Sequence, residues 1–320
     1  MTLPLVSVIM LTYNQVDFVE DALNSVLDQG YENLQIVVSD DASSDGTAEL
    51  VRQYAKHHPS RIIAAFNRDN IGLTRNFNQA LSRCSGTYVA LLDGDDLFLP
   101  AKISSQVAFM EDNPSLAISY HNVETFDSDS GQRLYLWFDR YPPRTVDARG
   151  LVRYGPFLPY PGVMMRRACL PQGGANEQIA VGSDWLLWIE TLANGDRLAM
   201  AFDGVLARYR RHPNNVTKSW DWKFADSLIT LALVEQDWPE MTSAARQRKA
   251  EVCLTHAVHQ FARGKYRDSL ALYWRALRHS APWFLPPYRL LVRELLFWLK
   301  QRGEPDDLLS SLLMRSKKKL

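Results

Sequence analysis

Four continuous apolar runs recur in the first hundred residues, separated by stretches with helical spacing. Val6 to Leu11, Leu34 to Val38, Ile62 to Phe66 and the run Tyr88–Leu92 do not alternate with polar residues, which is the pattern of strands buried on both faces. Between the first two runs, Val19, Ala22, Leu23, Val26 and Leu27 share one helical face, and Gly30 stops the helix. Ser43, Ser44 and Asp45 offer N-caps for a second helix to about His57, closed off by Pro59. Asn70-Ile71-Gly72 turns into a third, from about Leu73 to Cys84. This alternation predicts βαβ units and a mostly parallel, Rossmann-like sheet flanked by helices. Right-handed crossovers bring the strand ends to one edge, so Thr12, Asp41 and Asp93–Asp96 are expected to line a single cleft.

After Pro100 the pattern loosens. Ala101 to Asp112 reads as an amphipathic helix, and Leu116 to Phe126 with Arg133 to Phe138 as antiparallel strands around a turn. Gly155 to Gly162 reads as a loop, Val163 to Arg166 as a short strand, and Val205 to Tyr209 as the last strand. Ser183 is the expected N-cap of a helix with Asp184 in its first turn. From about Trp222 the chain is helical, with a hairpin over Ala257 to Leu277 broken at Gly264. The expected division is a domain over 1–220, with halves of about 1–100 and 101–220, and a helical region over 221–320.

A length of 320 residues, with 46% hydrophobic and 22% charged, suits a soluble globular chain larger than one small domain. Charge is uneven. Residues 1–100 carry 13 acidic against 6 basic side chains, whereas residues 261–320 carry 5 against 13. The acidic half excludes general nucleic-acid binding. The basic end, with Pro286 to Arg302 apolar on one broad face and Lys317-Lys318-Lys319 beyond, suits either an anionic membrane surface or packing on the domain. Three scattered cysteines imply no disulfide framework, and no stretch approaches the ~20 apolar residues of a membrane span. A cytoplasmic protein is expected, with peripheral attachment to the inner face of the membrane open to it.

The chemistry gathers at Asp93-Gly94-Asp95-Asp96. Three carboxylates this close repel one another unless a cation lies among them, and hard oxygen ligands call for Mn²⁺ or Mg²⁺. Thr12-Tyr13-Asn14-Gln15 after the first strand has no glycine, and there is no Gly-Lys-Ser/Thr, so dinucleotide-fold and P-loop phosphate binding are excluded. A nucleotidyltransferase would also need a glycine-rich basic loop there.

In order, Val6–Asn14, Val37–Thr47 with Asp40-Asp41, Asn70-Ile71-Gly72 with Arg75-Asn76, Leu92–Asp96, Asp184 with Trp185 and Trp188, and Tyr209-Arg210-Arg211-His212 resemble the motifs of the family 2 glycosyltransferases. The resemblance covers about residues 4–215. It implies the GT-A fold and inverting transfer of a sugar from a nucleotide-diphosphate donor, a UDP-sugar by expectation, to a carbohydrate or lipid-linked acceptor. Cell-surface polysaccharide, lipopolysaccharide or glycolipid synthesis is the implied setting. By the same resemblance Thr12 and Tyr13 lie at the nucleotide edge, Asp41 accepts from the base and Arg75 sits near the diphosphate. Asp93 and Asp95 meet the ribose and the metal, Asp96 joins the donor site, and Asp184 is the catalytic base. His212 is either a further metal ligand or a polar loop residue. Trp185 and Trp188 are either core or a sugar platform. The competing class is a non-catalytic nucleotide-sugar-binding or scaffold protein whose helical tail recruits partners.

Overall fold

The computed structural model describes residues 3–279 apart from 196 and 219. The segment from Pro286 onward, with its basic amphipathic pattern, lies outside the described residues. The chain opens with β1 (Val6–Thr12), α1 (Val19–Leu27), β2 (Leu34–Asp40), α2 (Thr47–His57), β3 (Ile62–Phe66), α3 (Leu73–Leu81) and β4 (Tyr88–Asp93). It continues through β5 (Leu97–Phe98), α4 (Lys102–Asp112), β6 (Leu116–Asp127), β7 (Arg133–Leu136), α5 (Trp137–Arg140), α6 (Ala148–Tyr154), β8 (Met164–Arg166), α7 (Ser183–Ala193) and β9 (Leu198–Arg211). Helices α8 (Trp220–Asp237), α9 (Thr242–Ala262) and α10 (Tyr266–His279) follow.

One sheet runs β3-β2-β1-β4-β8-β6-β9-β5, with β7 beside β6. Strands β1 to β4 pair in parallel, as do β6 and β9, while β5, β7 and β8 pair antiparallel. Every residue of β1 is buried, which is why its apolar run is unbroken. Val8 and Met10 pack with Ile36 and Val38 of β2 and with Val19, Leu23 and Val26 of α1. Each such side chain taken fully out of water stabilises the fold by about 1.5–3 kcal/mol.

Several boundaries differ from the expectation. The last strand begins at Leu198, because it pairs with nearly the whole of β6 through three register shifts, a non-local partnership invisible in its own sequence. Leu97–Phe98 forms a short strand only because β9 lies beside it. Gly46, with φ 104°, precedes α2 in place of the serines or Asp45. Ser183 is the first residue of α7, with Gly182 before it, and makes no capping bond. Gly264, with φ 76°, breaks the α9–α10 hairpin where the sequence places it.

The described residues divide into two compact units. One holds the chain to Leu151 with Pro156–Val216; the other holds Val152–Gly155 with the chain from Thr217. In the second, Arg153 pairs with Glu251 at 2.7 Å, which anchors the end of α6 to α9. None of the described helices is long and apolar enough to cross a membrane.

Candidate active site

Parallel register gathers the strand ends. Thr12 lies beside Asp40, and Leu11 beside Asp93, so the acidic residues after β2 and β4 flank the end of β1. The turn after β4 is pinned by the Gly94 N–H, which donates to the Leu11 carbonyl at 2.9 Å. A Cβ on Gly94 would come within 2.7 Å of Thr12 Cγ2 and 2.6 Å of Gln15 Oε1, so this close approach requires glycine.

Asp93, Asp95 and Asp96 each offer a carboxylate oxygen within 4.8 Å of the others. Loss of water around Asp93, then the charges of Asp95 and Asp184, push its carboxyl well above the ordinary range. Asp96 is pushed the same way by burial and then by Asp95 and Asp93, against the pull of Arg210. Its Oδ2 is buried without a hydrogen-bond partner. Such an arrangement is costly as it stands and fits a hard divalent cation, whose charge offsets the repulsion and whose preferred ligands are carboxylate oxygens.

The end of β9 braces this turn. The Arg210 N–H donates to Asp96 Oδ1 at 2.9 Å, and its Nε donates to the Asp95 carbonyl at 2.8 Å. His212 Nε2 lies 2.8 Å from Asp95 Oδ2, with the ring against Phe18 at 4.8 Å. Asn215 accepts the His212 N–H at 2.7 Å and donates to the Arg210 carbonyl at 3.1 Å, which fixes the loop carrying the imidazole.

The loops after β1 and β2 are stitched together. Asp40 Oδ2 accepts from Thr12 Oγ1 at 2.9 Å and from Ser43 Oγ at 2.6 Å. Asp45 accepts from the Val16 and Thr47 N–H groups, both at 3.0 Å. Burial opposes ionisation of Asp45, but the Thr47 hydroxyl and these amides outweigh it and hold the carboxyl below its ordinary value. Tyr13 stands at this edge half exposed. Asp41 is buried, and its Oδ1 and Oδ2 take the Ile71 and Gly72 N–H groups at 2.9 and 3.0 Å. It thereby holds the β3–α3 loop. Arg75, on α3, pairs with Glu177 at 3.1 Å, both side chains being more than half exposed.

Asp184 arrives from the second half of this unit, in the first turn of α7. Its charge adds to those that raise the Asp93 carboxyl, after burial and Asp95. The segment leading to it is tied to α3: the Thr74 hydroxyl donates to the Ile179 carbonyl at 2.6 Å and lies 2.9 Å from Ser183 Oγ. Asn78 exchanges two bonds of 2.8 Å with the Ala175 backbone. Trp185 and Trp188 are buried core residues, not a sugar platform; Trp185 Nε1 donates to the Leu151 carbonyl at 3.1 Å.

Sequence reasoning finds no role for Arg210, Asn215 or Thr74. Arg210 carried a signal, a basic residue in a quoted motif opposite an acidic turn. Thr74 carries none, since its partners Ile179 and Ser183 lie more than a hundred residues on, and Asn215 carries none because its bonds to His212 and Arg210 depend on how the loop bends in the fold.

The family model described as Glycosyl transferase family 2 matches residues 7–172. A putative glycosyltransferase, EpsE of Bacillus subtilis, is 34% identical over 163 residues, 51% of this chain and 52% of the relative. The chain thus spans about half the length of that relative. An Escherichia coli glucosyltransferase, WfaP, named for transfer from UDP-Glc to α-D-GlcNAc-diphosphoundecaprenol, is 30% identical over 67% of this chain and 80% of its own. Among solved structures, Staphylococcus aureus TarS with UDP has a TM-score of 0.63 at 17% identity, covering 99% of this chain and 92% of that one. The mannosyltransferase PcManGT of Pyrobaculum calidifontis, with GDP-Man and Mn²⁺, has a TM-score of 0.62 at 19% identity, covering 100% of this chain and 87% of that one. Strand order, the acidic turn after β4 and the matched residues agree: this chain belongs to glycosyl transferase family 2 and has the GT-A fold.

Proposed function

We propose that this protein is an inverting, metal-dependent glycosyltransferase that moves a sugar from a nucleotide-diphosphate donor to a hydroxyl of a carbohydrate or lipid-linked acceptor. A UDP-sugar is the donor this reading favours, and surface polysaccharide or glycolipid synthesis the setting, in line with what WfaP is named for. The observation that carries it is the cluster of three carboxylates at the strand ends of a family 2 chain, and this reading sets Asp184, whose charge bears on Asp93 from a separate helix, opposite them.

Asp93 and Asp95 would hold Mn²⁺ or Mg²⁺, and in this reading His212, whose Nε2 lies 2.8 Å from Asp95 Oδ2, would join them. When bound, the cation supplies Lewis-acid stabilisation of the charge on the departing diphosphate. Asp96, fixed by Arg210, keeps the turn in shape for the donor. Tyr13 offers a ring to the base. Each carboxylate oxygen accepts two bonds, so Asp41 Oδ2, which takes one from Gly72, can take another from a base N–H. The Thr12 hydroxyl is engaged with Asp40, so Thr12 acts through shape, and Arg75 reaches a diphosphate only by releasing Glu177. Asp184 removes the proton from the acceptor hydroxyl as its oxygen bonds to the anomeric carbon. The bond from that carbon to the diphosphate oxygen breaks, and its electron pair leaves with the nucleoside diphosphate. Attack opposite the leaving group inverts the centre. The basic tail and membrane attachment belong to this reading only as an extension.

The test is Asp184→Asn beside Asp95→Asn, assayed with a panel of nucleotide sugars and MnCl₂. Asp184→Asn is expected to abolish transfer and keep donor binding; Asp95→Asn is expected to lose Mn²⁺-dependent donor binding. Normal turnover by Asp184→Asn would remove the base from this scheme. A protein that binds sugar nucleotides but transfers from none of them would favour the scaffold class.

A further inference from the structure

Helix α10 (Tyr266–His279) is apolar on two sides. One side closes the helical hairpin: Ala276 is fully buried with Cys253 and Leu254 of α9, and Tyr273 and Leu277 pack against them. The other side meets solvent. Tyr266, Leu270 and Trp274 recur at every fourth residue, which stacks them along one line of the helix, and they are 63%, 57% and 57% exposed. Phe261, at the end of α9, lies edge-on to the Tyr266 ring at 5.1 Å and carries the line across the hairpin turn. Other large apolar side chains exposed among the described residues, such as Ile63 and Leu134, stand singly in separate elements. The hairpin core is built from the opposite side of α10, so it does not account for this stripe.

The charge beside the stripe has one sign. Arg267 and Arg278 follow Trp274 around the helix, Arg275 lies beyond them, and Arg263 and Lys265 flank the turn before Tyr266; all five are exposed. Asp268 is the single acid of the helix. Among the described residues none of these five cations forms a salt bridge. Exposed Tyr, Leu and Trp beside unpaired cations match a surface that is apolar beneath and anionic on top, where the rings lie at headgroup depth and the guanidinium groups meet phosphates. A second copy fits less well, because a two-fold contact through this face would set the arginines against themselves. A partner helix would need a groove, and side chains more than half exposed on a single helix offer none.

We propose that the solvent face of α10, the stripe Tyr266–Leu270–Trp274 with its bordering arginines, docks on an anionic lipid bilayer. Docking through α10 goes beyond the transferase reading and would serve a scaffold as well as an enzyme. It also uses a surface separate from the basic amphipathic pattern after Pro286.

The full-length protein is sedimented with vesicles of phosphatidylcholine alone and of phosphatidylcholine with phosphatidylglycerol in equal parts. It is expected to bind the second and not the first, more weakly as NaCl is raised. The combined variant Tyr266→Ser, Leu270→Ser, Trp274→Ser should lose at least about tenfold in affinity for the anionic vesicles. Arg275→Glu with Arg278→Glu should lose about tenfold, and the Tm of both variants should match the wild type. A further arm needs no variant: amide hydrogen exchange over residues 266–278 of the wild type should slow when anionic vesicles are added. Wild-type protein that stays in the supernatant with both vesicles, or binds both alike, would overturn the proposal. So would unchanged exchange over 266–278 in the bound protein, or a serine variant that binds as tightly as the wild type, either of which would move the contact to another segment. A dimer that the serine variant abolishes, without vesicle binding, would give the face to a second copy instead.

Discussion

Arg210 grips the acidic turn twice, its main-chain N–H on Asp96 Oδ1 at 2.9 Å and its guanidinium on the Asp95 carbonyl at 2.8 Å. It is the cation through which β9 holds a turn more than a hundred residues earlier in the chain, and it lies sandwiched between the Phe18 and Phe126 rings, 4.9 Å from each.

Arg210→Met keeps the main-chain bond and the packing but deletes the charge. Stability should fall by about 1–3 kcal/mol, because a buried carbonyl loses its donor. Binding of UDP in MnCl₂, read by calorimetry, should weaken by about tenfold, a loss of one well-made charge-assisted bond. Wild-type affinity in this variant would show that the turn keeps its shape unaided.

Thr74 is the matching tie on the Asp184 side. Thr74→Val conserves volume and leaves the Ile179 carbonyl without its donor. The expected result is a kcat lowered by about tenfold with nucleotide binding unchanged, alongside a stability loss of about 1–3 kcal/mol. Unchanged kcat despite the lower Tm would mean that α7 is positioned by its buried tryptophans alone.

Acid should destabilise the fold through His121. Burial, then the neighbouring Lys102, holds this imidazole down at about 3. The unfolded chain takes up a proton below about 6.5, while the folded chain stays neutral down to about 3. Stability is therefore intact above the unfolded value and falls as pH drops towards the folded one, by at most about 1.4 kcal/mol per pH unit. Urea unfolding at pH 7 and pH 5 should show this loss in the wild type and a smaller one in His121→Gln. Equal losses in both proteins would assign the acid sensitivity elsewhere.

Lys102 is fully buried, its Nζ without a hydrogen-bond partner above the Phe98 ring at 4.0 Å. Burial drives its amine well below the ordinary range. Lys102→Met keeps the length and removes the polar atom, so stability should rise by about 1–3 kcal/mol. Thermal unfolding decides it, and a lower Tm would reveal that the amine satisfies a buried partner.

Much of the catalytic half is legible in the sequence because its information is local. Continuous apolar runs alternating with helical spacing mark buried strands, and right-handed crossovers carry their acidic ends to one edge. The second half is less legible. The first half of β9, the two residues of β5 and the true start of α7 depend on partners distant in the chain, so no window around them contains their cause.

The site divides along the same line. By itself the sequence determined the acidic crowding of Asp93, Asp95 and Asp96, and its resemblance to family 2 put forward Asp184 and His212 as candidates. Only the tertiary structure decided what those residues touch. It engaged both Asp41 oxygens with loop amides, turned Arg75 to Glu177 and clamped Arg210 onto the acidic turn. Hydrogen bonds and burial are properties of neighbours in space, and in this fold the neighbours that count come from strands and turns far apart along the chain.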